Sequence, residues 1–176
     1  NEDEPITISL NVIDVDGPYL ILGSEQSPEG FVEISYGQNA IIITPLENWY
    51  GEVLITVSAF DGEFFQEQQF QLTVVSVNDS PVANTESAIT NEDESVSFEL
   101  TASDIEGDEL TYSLYSNASN GTVAIEGSIA TYTPNLDFNG SDSFVYSVSD
   151  SDLSDQATVT LTIDAVNDAP ILDIIS

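Results

Sequence analysis

Three acidic motifs occur twice in this chain, at matching places. Glu2 and Glu4 return as Glu92 and Glu94. Asp14 and Asp16 return as Asp104 and Glu106, with Asp108 just beyond, and Asn78 and Asp79 return as Asn167 and Asp168. Asp61 and Asp150 form a further matched pair. All of these side chains offer oxygen. The chain carries 32 Asp and Glu with no Lys, Arg or His, a formal net charge of −32, so no side-chain cation can neutralise a cluster of them. Two like charges about 4 Å apart repel by roughly 1 kcal/mol in bulk water and by about 4 at an effective dielectric near 20. Acids spread over a surface tolerate that. Acids gathered at a folded site need a cation from the medium, and oxygen-only ligands select Ca²⁺ or Mg²⁺. Carboxylates on alternate residues of a turn, such as Asp104 and Glu106, can both point at one ion.

The same composition excludes other chemistry. Without Lys there is no Schiff base or amine nucleophile, and without His or Cys no Ser–His–Asp triad, thiol nucleophile or disulfide. Binding to nucleic acid or to anionic membrane surfaces through charge needs protein cations, which are missing. An acid pair at glycosidase spacing arises by chance among so many carboxylates and is not by itself a site. The chain reads as no enzyme. Its longest aliphatic run, Ala40 to Ile43, is far too short for a membrane span. There is no signal peptide and no Met, so the chain reads as a segment of something longer.

These motifs must be held by a repeated scaffold. Asn1-Glu2-Asp3-Glu4 recurs at Asn91-Glu92-Asp93-Glu94, and Asp14 matches Asp104, both at an offset of 90. Thr44-Pro45 matches Thr133-Pro134, Trp49-Tyr50-Gly51 matches Phe138-Asn139-Gly140, and Val77 to Pro81 matches Val166 to Pro170, all at 89. One single-residue indel accounts for the change. Hydrophobic residues make up 41% of the chain, enough to build a core despite the charge. Their period is 2: Val96, Phe98, Leu100 and Ala102; Phe144, Tyr146 and Val148; Val159, Leu161 and Ile163, with Phe70, Leu72 and Val74 in the first repeat. Such alternation predicts half-buried strands, punctuated by turns such as Asp61-Gly62 and Asn120-Gly121. The predicted fold is all-β: two tandem immunoglobulin-like Greek-key sandwiches, head to tail in a rod. The expected domains are 1–80, with its first strand missing, and 81–169. Residues 170–176 are expected to open a following repeat or to form a strand donated to another copy.

Several runs together resemble a cadherin repeat: Leu100 to Gly107 with Asp104 and Glu106, Leu110 to Leu114, Tyr132-Thr133-Pro134, Asp137 to Gly140, and Val166 to Pro170. The chain is most similar to the bacterial cadherin-like tandem repeats of large surface proteins. That resemblance implies Ca²⁺ at the junction of successive sandwiches, stiffening the rod. It implies ligands at Glu2 and Glu4, Asn78 and Asp79, Asp104, Glu106 and Asp108, and Asp150. At a joint with a further repeat or copy it implies Glu92, Glu94, Asp137, Asn167 and Asp168 opposite Asp14, Asp16 and Asp61. Two departures thin the set: Ser76 stands where the family linker has an Asp, and Asn48 and Tyr50 replace an Asp-x-Glu. One or two ions per junction are expected rather than three.

The function so implied is a calcium-rigidified structural or adhesive module, secreted or at the cell surface. Its partners would be neighbouring repeats or copies of itself. The alternative is a carbohydrate-binding module recognising surface glycans, with Trp49 as the stacking ring if exposed. Because Phe138 occupies the matching position, a core or corner role suits Trp49 better. Asn78, Asn117, Asn120 and Asn139 head Asn-x-Ser/Thr sequons, two of them at motif positions.

Overall fold

The computed structural model describes residues 1–2, 4–9, 21–37 and 40–170. Asp14, Asp16 and the segment 171–176 therefore lie outside the described residues. The chain divides into two compact units, Asn1–Val77 and Asn78–Ser176. Every regular element among the described residues is a strand.

The first unit contains β1 (Ile6–Ser9), β2 (Ile21–Ser27), β3 (Val32–Gly37), β4 (Ala40–Pro45), β5 (Gly51–Phe60) and β6 (Phe65–Val74). They form two antiparallel sheets, β1-β4-β3 and β2-β5-β6. Alternation decides which face is buried: Ile41 and Ile43 of β4 and Val53 and Ile55 of β5 turn inward with Val32. Burying one such side chain contributes about 1.5–3 kcal/mol. Gln26 closes the turn between β2 and β3. Its Oε1 accepts from the amides of Phe31 and Val32, and its Nε2 donates to the Val32 carbonyl.

The second unit contains β7 (Val82–Ala83), β8 (Glu86–Asn91), β9 (Val96–Glu99), β10 (Ala102–Ser103), β11 (Thr111–Ser116), β12 (Gly121–Glu126), β13 (Ile129–Pro134), β14 (Gly140–Ser149) and β15 (Ser154–Asp164). Its sheets run β12-β13-β9 and β11-β14-β15-β8, beside a small β10-β7 pair. Tyr132, Phe144, Tyr146, Val148, Val159 and Leu161 fill the core. Phe98 and Phe144 lie with ring centroids 6.3 Å apart, and Tyr112 and Tyr146 at 6.2 Å.

The repeat survives in backbone detail. Leu46 donates to the Phe31 carbonyl as Asn135 does to that of Asn120, and Trp49 donates to Leu46 as Phe138 does to Asn135. Asn48 and Asp137 both hold φ at 57°, while Gly51 and Gly140 stand at 143° and 130°. One difference is large. In the second unit β8 lies parallel to β15, pairing Glu86–Asn91 with Val159–Asp164. Among the described residues β6 has only β5 beside it. Accordingly Val159 and Leu161 are buried, whereas Phe70 and Leu72 of β6 stay half exposed. Trp49 stacks on Phe31 at 5.0 Å and packs against the first core, the corner role its aromatic counterpart suggested.

Candidate metal centre

The second unit presents acidic side chains in two groups. The first lies where the linker segment 78–80 meets the turn after β10 and the hairpin between β14 and β15. The Asp79 amide donates to Glu106 Oε2 at 3.2 Å, and carboxylate oxygens of these two residues lie within 4.8 Å of one another. Asn78 Nδ2 donates to Asp150 Oδ2 at 2.9 Å, tying linker to hairpin. Asp150 Oδ1 in turn accepts from the amides of Asp152 and Leu153, both at 2.7 Å. The Leu153 amide, the Asn78 side chain and the Asp152 amide hold the Asp150 carboxyl below its ordinary range. Asp104 Oδ1 accepts from the Asp108 amide at 3.0 Å, which closes the acidic turn.

What these bonds leave over is the informative part. Asp79 Oδ2, Asp104 Oδ2 and Glu106 Oε1 are buried and have no hydrogen-bond partner. A buried, unpaired carboxylate oxygen is costly, and the chain holds no Lys, Arg or His to meet it. Unpartnered carboxylate oxygens of this kind, with those of Asp79 and Glu106 within 4.8 Å of one another, are the type of donor that a hard cation takes. The residues present fit calcium.

The second group lies at the start of β9's approach, the turn before β14 and the segment after β15. Ligand oxygens of Asp93, Asp137 and Asp168 lie within 4.8 Å of one another, all three residues exposed. The Asp137 amide donates to Asp93 Oδ1 at 3.0 Å. Partial desolvation, together with the charges of Asp93, Asp168 and Glu92, raises the Asp137 carboxyl above its ordinary value. Glu92 is buried and fully committed: Oε1 accepts from the Val166 amide and Oε2 from Asn139 Nδ2 at 3.0 Å. Asn167 Nδ2 donates to the Asp168 carbonyl. Asp93 was not among the expected ligands. Its signal lay in the motif itself, since it sits between Glu92 and Glu94, and it takes a positive φ of 67° there.

In the first unit Glu2 is buried and repeats the role of Glu92, with Oε1 accepting from the Val77 amide at 2.7 Å. Tyr50 stands where Asn139 serves Glu92, and Glu2 Oε2 remains buried without a partner. Asp61 repeats the turn of Asp150, with Oδ1 accepting from the amides of Glu63 and Phe64. Those bonds lower its pKa, the Phe64 amide foremost. Glu4, Glu94 and Asp108 are exposed, Glu94 Oε2 accepting from Asn91 Nδ2.

Residues 78–162 match the family model described as bacterial Ig domain. The chain is 32% identical over 93 residues to the protein GAMETE EXPRESSED 2 of Arabidopsis thaliana, a match covering 52% of this chain and 10% of that protein. It therefore spans about a tenth of that relative's length. Among solved structures it is similar to the EC1-2 portion of human protocadherin-24, with a TM-score of 0.55 and 18% identity, over 92% of this chain and 88% of the other. Against extracellular cadherin domains 1-4 of protocadherin gamma B7 the TM-score is 0.51, with 19% identity over 92% and 50%. An endo-fucoidan hydrolase of glycoside hydrolase family 107 aligns at 0.41, with 17% identity, over 94% of this chain and 27% of that one. The chain has the cadherin-like, immunoglobulin-like β-sandwich fold, and its residues 78–162 are similar to bacterial Ig domains.

Proposed function

We propose that this chain is a calcium-stiffened structural and adhesive module, working in a tandem array outside the cell. Asn78, Asp79, Asp104, Glu106 and Asp150 are the second unit's share of the calcium ligands. The observation that carries this reading is the set of three buried, unpartnered carboxylate oxygens on Asp79, Asp104 and Glu106, in a chain without a basic side chain. Asp93, Asp137, Asn167 and Asp168 form a second, more open cation-binding group of the same kind. Neighbouring repeats, or copies arranged head to tail, are its partners. Catalysis has no part in this reading, because activation of a nucleophile by His, Cys or Lys is unavailable.

Metal content and small-angle scattering test it together. Chain equilibrated with Ca²⁺ and passed through a desalting column retains the ion, and its scattering curve changes when a chelator removes it. Extracellular calcium modules bind at about 10⁻⁴ to 10⁻³ M, so free Ca²⁺ is held well above that range. Retention of no calcium, with one scattering curve in both conditions, refutes the proposal.

A further inference from the structure

We infer that the outer face of the four-stranded sheet β11-β14-β15-β8 in the second unit is an interface for the same face of a second copy, side by side. This goes beyond the head-to-tail arrangement proposed above and rests on neither acidic group.

Alternation assigns the face. Phe144, Tyr146 and Val148 of β14 and Val159, Leu161 and Ile163 of β15 turn into the core. The alternate residues line the opposite side: Ser143, Val145 and Ser147 on β14, and Thr158, Thr160 and Thr162 on β15. Register sets Ser113 of β11 beside Ser147, and Ile89 of β8 beside Thr162. The three threonines and Ile89 are exposed. Asp164, at the end of β15, is the one carboxylate that alternation puts on this face of the four strands.

Other sheet faces of this chain are acidic. In the same unit the outer face of β12-β13-β9 carries Glu99 and Glu126, both paired with Ile129. In the first unit the face of β2-β5-β6 away from its core carries Glu25, Glu52 and Glu67. By the repeat, Ser141 and Gln156 stand where Glu52 and Glu67 do. The second unit thus has neutral side chains at positions where the first has acids.

Charge and hydrogen bonding point to the occupant. A second copy carries the same net charge of −32, and two acidic faces brought together repel. Carboxylates also only accept hydrogen bonds, so two such faces cannot bond to each other. Hydroxyls donate and accept, so two identical Ser and Thr faces satisfy one another. Val145, paired with Thr158, gives the face an apolar centre within a polar rim. Four strands about 4.8 Å apart, over roughly eight residues of length, cover about 500 Å². A pair of copies then buries about 1,000 Å², the low end for a specific interface. The contact is isologous, weak and reversible, and closes at two copies. Charge on the rest of the surface opposes it, so added salt strengthens it by screening.

Sedimentation of the intact chain over a wide concentration series, in excess chelator at low and at high NaCl, tests this. The expected result is a reversible doubling of mass that sets in at lower protein concentration when NaCl is high. A variant with Thr158→Glu and Thr160→Glu is expected to stay monomeric over the same range. A control with Gln69→Glu and Gln71→Glu adds the same charge at the matching positions of the first unit and is expected to dimerise as the wild type does. Circular dichroism melts establish that both variants are folded. A wild-type chain that stays monomeric at high NaCl overturns the inference. So does a Thr158→Glu, Thr160→Glu variant that still dimerises, or a control that loses the dimer with it. Doubling that appears only when Ca²⁺ is supplied overturns it too, because this face holds none of the proposed ligands.

Discussion

Tyr132 and Asp142 show how a part-buried polar pair is held in a chain without side-chain cations. The Tyr132 hydroxyl donates to Asp142 Oδ2 at 2.9 Å, while the amides of Ser119, Asn120 and Ser143 donate to the same carboxylate. Burial acts to raise the Asp142 pKa, but the bonds from Asn120, Ser143, Tyr132 and Ser119 outweigh it, and the net shift is downward. A carboxyl depressed in the fold contributes stability that is present above its unfolded value, about 3.9. That contribution is lost as pH falls through the folded value. Tyr132→Phe removes one charge-assisted bond, worth about 1.5–3 kcal/mol. Denaturant unfolding is expected to show a loss of that order at neutral pH, shrinking as the pH drops below about 4. Asp137 has the opposite sign. Its carboxyl is raised by desolvation and by Asp93, Asp168 and Glu92, so its ionisation at neutral pH works against the fold until a cation is present. Carbon-detected NMR titration in chelator is expected to give Asp137 an elevated pKa, falling when Ca²⁺ is added. A value unmoved by Ca²⁺ excludes this group from metal binding.

At the scale of elements, alternation predicted the interior faces well. Phe144, Tyr146 and Val148 of β14 and Val159, Leu161 and Ile163 of β15 are buried as their period requires. The same pattern in β6 left Phe70 and Leu72 half exposed, because period 2 marks the inward face but not whether a neighbouring strand covers it. The acidic motifs were legible as repeats. Their division of labour was not: Glu92 and Asp150 spend oxygens on backbone amides, while Asp79, Asp104 and Glu106 keep one free, and that depends on turn geometry. Gly121 illustrates an element-scale constraint hidden in a common Asn-Gly turn. A Cβ there would sit 2.4 Å from the Tyr132 ring and 2.6 Å from the Thr133 carbonyl. Gly121→Ala is therefore expected to destabilise the second unit by about 1–3 kcal/mol, the usual cost of overpacking. Thermal melting followed by tyrosine fluorescence reads this, and an unchanged midpoint contradicts the close approach of β12 to β13.

For the whole molecule, the two units have separate cores; among the described residues the second is built from two Tyr, a Phe and several aliphatic residues, and the first from five aliphatic ones. Calorimetry in chelator is expected to resolve two transitions, the first unit melting at the lower temperature, where a single cooperative transition would show that the cores are not independent. The central claim is that the orphaned oxygens of Asp79, Asp104 and Glu106 await a calcium ion. A ligand held only by the folded state stabilises it by about 2.7 kcal/mol when present at 100 times its dissociation constant. The most direct measurement is isothermal titration of Ca²⁺ into the chelator-treated intact chain, beside a variant carrying Asp104→Asn and Glu106→Gln, with melting followed in parallel. The account predicts saturable binding and a rising second transition in the wild type, both lost or greatly weakened in the variant. A wild-type chain that gives no binding heat and no change in melting, or a variant that binds as tightly as the wild type, would contradict it.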